Sequence, residues 1–230
     1  MRTTSSGKRL FIEAVVVVVS ILLAFAIDAG WDQRQARQDE RAVLRGLQSE
    51  LQESRLIIES SRRNTAQAYE RLKYFVAAPR SELLALSPVA AVGEVFQPLT
   101  RQWDETLPRG ALDAATGSGK LASISDPVLR AALARLGGAH ASVKEMTAVI
   151  GEMDARTVAM LGELEGIQAI FVMPEPELDS GTLGALRDDP KIMGATTAKI
   201  WFLAGYLYQL QLLEATIDEN LELIAAVLDD

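Results

Sequence analysis

The hydrophobic pattern divides the chain into one stretch that is apolar on every side and several that are apolar on one side only. From Ala14 to Ile27 no charged residue occurs, and from Leu10 to Trp31 only Glu13 and Asp28 carry charge. A helix needs about 20 residues, at roughly 1.5 Å each, to cross a hydrocarbon layer of about 30 Å. The inner run alone is too short for that, so Glu13 and Asp28, about 22 Å apart along a helix, must lie near opposite interfaces. Trp31 then serves as an aromatic anchor at the headgroup level. The pattern predicts a single transmembrane helix over residues 10–30, preceded by a short tail, 1–9. The five valines Val15 to Val19 favour strand in water, but in lipid a helix satisfies its own backbone hydrogen bonds.

A cleaved signal peptide shares this layout, with a basic start, an apolar run and the small-x-small site Ala24-Phe25-Ala26. Glu13 at the head of the apolar run argues against cleavage, as does the amphipathic pattern that continues directly past Trp31. The tail carries Arg2, Lys8 and Arg9 and no acid, whereas Arg34, Arg37, Arg41 and Arg45 beyond the span are mixed with Asp32, Asp39 and Glu40. A cytoplasmic tail with the bulk exported across a bacterial inner membrane into the periplasm is the expected topology.

Past the span the apolar period becomes helical. Val43, Leu44, Leu47, Leu51, Ile57, Ile58, Tyr69, Leu72 and Phe75 recur at spacings of three and four, which predicts a helix over about 32–76. No proline precedes Pro79, so the span can run into this segment as one rod. Pro79 and Pro88 bound a looser stretch, and a short helix over about 98–116 closes at Gly117-Ser118-Gly119. Ser125-Asp126-Pro127 is a helix start, and the ladder Leu129, Ala132, Leu136, Ala139, Val143, Met146, Ile150, Met153, Thr157, Met160, Leu164, Ile167, Phe171 predicts a helix over about 125–171 with a coiled-coil-like seam. Residues 173–190, rich in proline, glycine and acid, read as an irregular connection. A last ladder, Ile200, Leu203, Leu207, Leu210, Glu214, Ile217, Leu221, Ile224, Leu228, predicts a helix over about 192–228, with Glu214 either at a solvent edge or setting register. The fold class is therefore all-α: an N-terminal transmembrane helix followed by an elongated antiparallel helical bundle, residues 31–230.

Composition removes several chemistries. With no Cys and one His there is no disulfide, thiolate site or multi-His metal site. The net charge of −8 gives no basic field for nucleic acid. Gly117-Ser118-Gly119-Lys120 fails as a phosphate loop, because Ala114 and Leu121 stand where Gly and Ser or Thr are required. His140 reads as a packed structural residue. Glu175, Glu177, Asp179, Asp188 and Asp189 fit a cation site or a solvated acidic loop equally well, without EF-hand spacing. Ser118 has no base at motif spacing. No catalysis, cofactor or metal is expected. Glu13 is the most suggestive residue, since a carboxylate in a membrane segment often serves helix pairing or proton transfer, its other reading being a protonated or interface-lying carboxylate about one turn from Lys8 and Arg9; Glu13, Asp28 and Trp31 are the candidate helix-pairing set.

Two blocks carry a family resemblance. Glu13-Ala14 and the apolar run, then Ala26-Ile27-Asp28-Ala29-Gly30-Trp31 and an Arg/Gln/Glu-rich helix, resemble an uncharacterised bacterial family of single-pass membrane proteins. Thr116-Gly117-Ser118-Gly119-Lys120-Leu121, followed by Ile124-Ser125-Asp126 and Leu129-Arg130, is similar to that family's Ser-Gly-Lys-Leu turn and the helix after it. Ile12 stands where the family has Gly, and Ala29 and Gly30 stand at its amide positions. The likeness spans the first 60 residues and roughly 103–136. It implies a membrane anchor and a helical domain, and brings no activity. The expected role is a protein-interaction or assembly module, with the lipid bilayer and a protein partner or second copy as contacts. A periplasmic ligand-sensing bundle is the alternative.

Overall fold

The computed structural model describes residues 5–100, 107–164, 167–170 and 177–229. Among them there are helices and no strands: α1 (Ser5–Ala77), α2 (Arg80–Leu84), α3 (Pro88–Ala91), α4 (Gln97–Thr100), α5 (Gly110–Gly117), α6 (Pro127–Gly162), α7 (Ile167–Ile170), α8 (Ser180–Asp188) and α9 (Pro190–Asp229). The all-α class holds, and α1 is indeed one unbroken rod of 73 residues. Pro79 ends it, because the residue before a proline is driven out of the helical region.

The long helices form up-and-down columns. Arg55 pairs with Asp218 and Arg62 with Glu214, so α1 and α9 are antiparallel. Asp154 meets Lys199, and Ala132 meets Asn220, so α6 and α9 are antiparallel too. The short pieces between α1 and α6 line up as a fourth column running back along α1. Arg71 donates to the Gly93 carbonyl (2.8 Å), Ser54 lies 3.4 Å from the Pro108 carbonyl, and Glu50 accepts from the amides of Ala111 and Leu112. Glu40 accepts from Ser125 at the bottom of this column. The result is a four-column bundle whose second column is broken into α3, a π-helical turn at Val92–Phe96, α4 and α5. Pro98 explains the π turn, since it has no N–H to give the Glu94 carbonyl.

Helix starts follow a repeated device. Asp126 accepts from the amides of Val128 and Leu129, Asp179 from those of Gly181 and Thr182, and Asp189 from those of Lys191 and Ile192. Asp126 and Asp189 are each followed by proline at the first helical position. This corrects the reading of 173–190 as irregular: residues 180–188 are helix α8, and Asp189-Pro190 opens α9 two residues earlier than the expected start at about 192. The helix expected over 125–171 is also shorter. It ends at Gly162, where glycine lowers propensity, and Ile167–Ile170 is a separate turn. The last rung, Phe171, lies outside the described residues. Gly119 sits at φ 73° after α5, a backbone that only glycine takes without strain, so the Gly117–Lys120 segment is an interhelical turn.

Burial along α1 begins only at the head. Residues 16–39 are exposed all round, whereas from Leu44 the buried positions are 44, 47, 51, 54, 58, 61, 65, 68, 72 and 75. That is a strict 3–4 alternation, the repeat by which helices pack along one seam. The exposed segment makes α1 the one described helix long and apolar enough to cross a membrane.

Candidate functional site

Glu13, Asp28 and Trp31 all lie on the exposed part of α1, strung along the rod, with Trp31 69% exposed. Fifteen residues separate Glu13 from Asp28, so within one chain the three do not converge on a common point.

The structure instead gathers polar chemistry in the bundle core. On α9 the buried positions run 192, 196, 199, 203, 206, 210, 213, 217, 220 and 224. The expected ladder was correct at Leu203, Leu210, Ile217 and Ile224 and one residue off at the alternate rungs. Lys199 replaces Ile200, Tyr206 replaces Leu207, Leu213 replaces Glu214 and Asn220 replaces Leu221. On α6, His140, Asp154 and Leu161 likewise displace Ala139, Met153 and Met160. At Lys199, Asn220, His140 and Asp154 an apolar neighbour stands beside the polar residue that the alternation requires; at Tyr206, Leu213 and Leu161 the register alone differs by one residue. Glu214 is consequently not a rung. It sits at the edge of the seam and pairs with Arg62 at 3.1 Å.

Lys199 and Asp154 are the most consequential of these residues. Each side chain is 1% exposed, and Lys199 Nζ lies 2.5 Å from Asp154 Oδ1. The same ammonium donates to the Leu99 carbonyl at 3.0 Å. Apart from this close charge contact, neither Asp154 oxygen receives a hydrogen bond among the described residues. Burial pushes the Asp154 carboxyl up and the Lys199 ammonium down, each opposed by the charge of the other. Removing two charges from water costs several kcal/mol per ion, roughly, so such a pair adds little net stability. It does fix alignment. Sliding α9 by one heptad would set Lys199 against Leu161 or Thr147 of α6, leaving both charges buried and alone. At the other end Asn220 donates to the Ala132 carbonyl at 3.4 Å and to the Thr216 carbonyl at 2.8 Å. The two polar rungs together clamp the register of α9 on α6.

His140 is buried on α6, and desolvation, with Arg109 adding to it, lowers its pKa to about 4. It is a neutral core residue at pH 7, in line with the packed reading. The acidic connection resolves into individual duties. Asp179 and Asp189 cap helices, Asp188 is ion-paired with Arg80, and Glu175 lies outside the described residues. Thr182 and the amides it caps hold the Asp179 carboxyl below the usual range. Among the described residues no group of three or more His, Asp or Glu is arranged to hold a metal.

One surface stands apart. The side of α9 opposite its seam carries Trp201 (73% exposed), Tyr208 (59%) and Leu212 (43%), with Ala204 and Ala215 between and beyond them. Residues 200–213 contain no charge, so this half of α9 is uncharged on both the buried and the outward face, with Gln211 the one amide among its exposed positions. A helix apolar all round is normally buried on all sides. Compared with models of protein families, with curated proteins and with solved structures, the chain matches none.

Proposed function

We propose that this is a single-pass membrane protein of the bacterial inner membrane, tail in the cytoplasm and bundle in the periplasm, that works as an assembly module. Its contact surface is the outer face of α9 around Trp201, Tyr208 and Leu212, and its first occupant is a second copy of the same chain. The observation that carries this reading is the uncharged outward face of α9. Copies anchored in one bilayer stand in the same orientation, so a two-fold axis along the membrane normal sets α9 beside α9 in parallel. Trp201, Tyr208 and Ala215 are spaced by seven, which keeps like residues level across such an axis. Pairing of the spans through Glu13, Asp28 and Trp31 would add to the same dimer. The resemblance to the uncharacterised single-pass family agrees with the anchor and assigns no reaction.

The test is the mass of the full chain in detergent or nanodiscs by light scattering, with Trp201→Glu/Tyr208→Glu alongside. A dimer that the double variant converts to monomer supports the reading. A wild-type monomer that captures a different protein through Trp201 in crosslinking would replace self-assembly by a hetero-complex. Retained dimer in the double variant removes α9 as the contact.

A ligand-sensing bundle is the second reading, favoured by a side cleft of about 330 Å³ between α1 and α4, lined by Asn64, Gln67, Arg71, Gln97 and Thr100. That volume is at the lower end for a small-molecule site, roughly 300–1,000 Å³. A thermal shift by one polar metabolite that disappears in Arg71→Gln would favour it.

A further inference from the structure

A larger cleft, about 910 Å³, lies where α1 enters the head. Its α1 wall begins at Gln33, two residues past Trp31, and includes Arg37, Asp39, Glu40 and Arg41; the opposite wall comes from the turn at Lys120 and the start of α6. Below it α1 is bare, residues 16–32 being exposed on every side. On the membrane-anchored reading, on which this inference rests, the cleft floor faces the bilayer. Arg37 then stands about 9 Å, and Arg41 about 15 Å, past Trp31 along the rod. The headgroup layer is about 5–8 Å deep on each side, and arginine and lysine side chains reach back toward it along their own stems.

The charges in this cleft are unequally engaged. Glu40 accepts from the Ser125 amide at 2.7 Å and its hydroxyl at 2.9 Å, and Asp126 is consumed by capping α6. Among the described residues Arg37, Arg41 and Lys120 form no ion pair or side-chain hydrogen bond, and neither does Asp39. Three free cations thus face one free carboxylate, and the cleft as a whole carries both signs in balance. A polyanion would meet Glu40 and Asp126 as well as the cations. A headgroup with one phosphate and one amine meets each sign with its opposite. We infer that this cleft binds the headgroup of an aminophospholipid of the surrounding leaflet, its phosphate on Arg37, Arg41 and Lys120 and its ammonium on Asp39. Arginine and lysine beside a membrane helix are the residues that take lipid phosphate.

The experiment uses the full chain in nanodiscs of equal phosphatidylethanolamine and phosphatidylglycerol, released into the gas phase for native mass spectrometry, with Arg37→Gln/Lys120→Gln in parallel. The wild type is expected to keep one phosphatidylethanolamine, and the variant to keep about tenfold less. Equal retention by both proteins overturns the site. Preferential retention of phosphatidylglycerol overturns the paired-charge argument. Displacement of the lipid by inorganic phosphate overturns the lipid as occupant and leaves a phosphate site. Alkali-resistant retention and a thermal melt of the same two proteins separate these results from failure of the anchor: both are expected unchanged, since the substituted side chains are exposed.

Discussion

Two stretches of α1 share one backbone and differ in everything that surrounds them. Residues 16–39 are helical and bare; residues 44–75 are helical and sealed along one seam. The second stretch tolerates Ser54, Ser61 and Thr65 at buried positions, because a one-sided seam needs only enough apolar rungs to exclude water. The first carries no charge around its whole circumference from Val16 to Ile27 and turns charged from Asp28 on, and no described part of the chain covers any face of it. Apolar area left in water costs about 25 cal/mol per Å², so a helix of this composition is stable only where its solvent is not water. On the proposed reading that solvent is lipid, and the hydrogen-bonded rod carries one environment rigidly into the other.

The comparison breaks most easily at the bare stretch. Val18→Arg/Leu22→Arg places two guanidinium groups at mid-span, each opposing insertion by about 2.5–3.5 kcal/mol. Loss of alkali-resistant membrane retention is expected, with the melting temperature of the head unchanged. Retention of the variant in alkali-washed membranes would mean that the apolar run is not the anchor.

The sealed part breaks at its charges. Lys199→Met leaves Asp154 buried and unpaired and is expected to cost about 3–5 kcal/mol in chemical denaturation. Adding Asp154→Leu removes the orphan and should restore most of that stability. If the register argument is right, the double variant also loses a single defined α6–α9 alignment, visible as doubled amide resonances.

A smaller effect separates the two stretches by pH. The folded pKa of His140, about 4, lies below its ordinary 6.5, so between those values the unfolded chain binds the extra proton. The stability contributed by the neutral imidazole is complete above pH 6.5 and is lost as pH falls toward 4, on the order of 3 kcal/mol in all. Asp154, raised by burial, acts in the opposite sense, so the measure is the difference between wild type and His140→Leu across pH 4–7. That difference should shrink as pH falls, while membrane retention of both proteins stays constant.

Most of this architecture was legible. Uninterrupted apolar sequence gives the bare stretch, the missing proline gives the single rod, and Asp126-Pro127 gives the start of α6. Asp189-Pro190 is the same signal and was passed over because its neighbours are acidic and proline-rich. The fourth column was not legible, because pieces of four to eight residues have no period long enough to read; they are held by Glu50, Arg71 and Lys199 from other helices. The buried Lys199 and Asp154 were missed for a different reason. Hydrophobicity chose Ile200 and Met153, whereas the alternation 192, 196, 199, 203 passes through the lysine. Period outranked polarity, which only a partner charge on α6 makes physically affordable.

The most direct test of the continuous rod is a distance. The chain contains no cysteine, so Phe25→Cys/Leu56→Cys, both at exposed positions, accepts spin labels at those two sites alone. Across 31 residues of unbroken helix the backbone separation is about 47 Å. Pulsed electron resonance on the labelled protein, diluted into an excess of unlabelled chain in nanodiscs so that inter-chain pairs are suppressed, is expected to give one narrow distribution near that value. A broad distribution centred well below it would mean that α1 bends between span and head, and that the two stretches are separate helices.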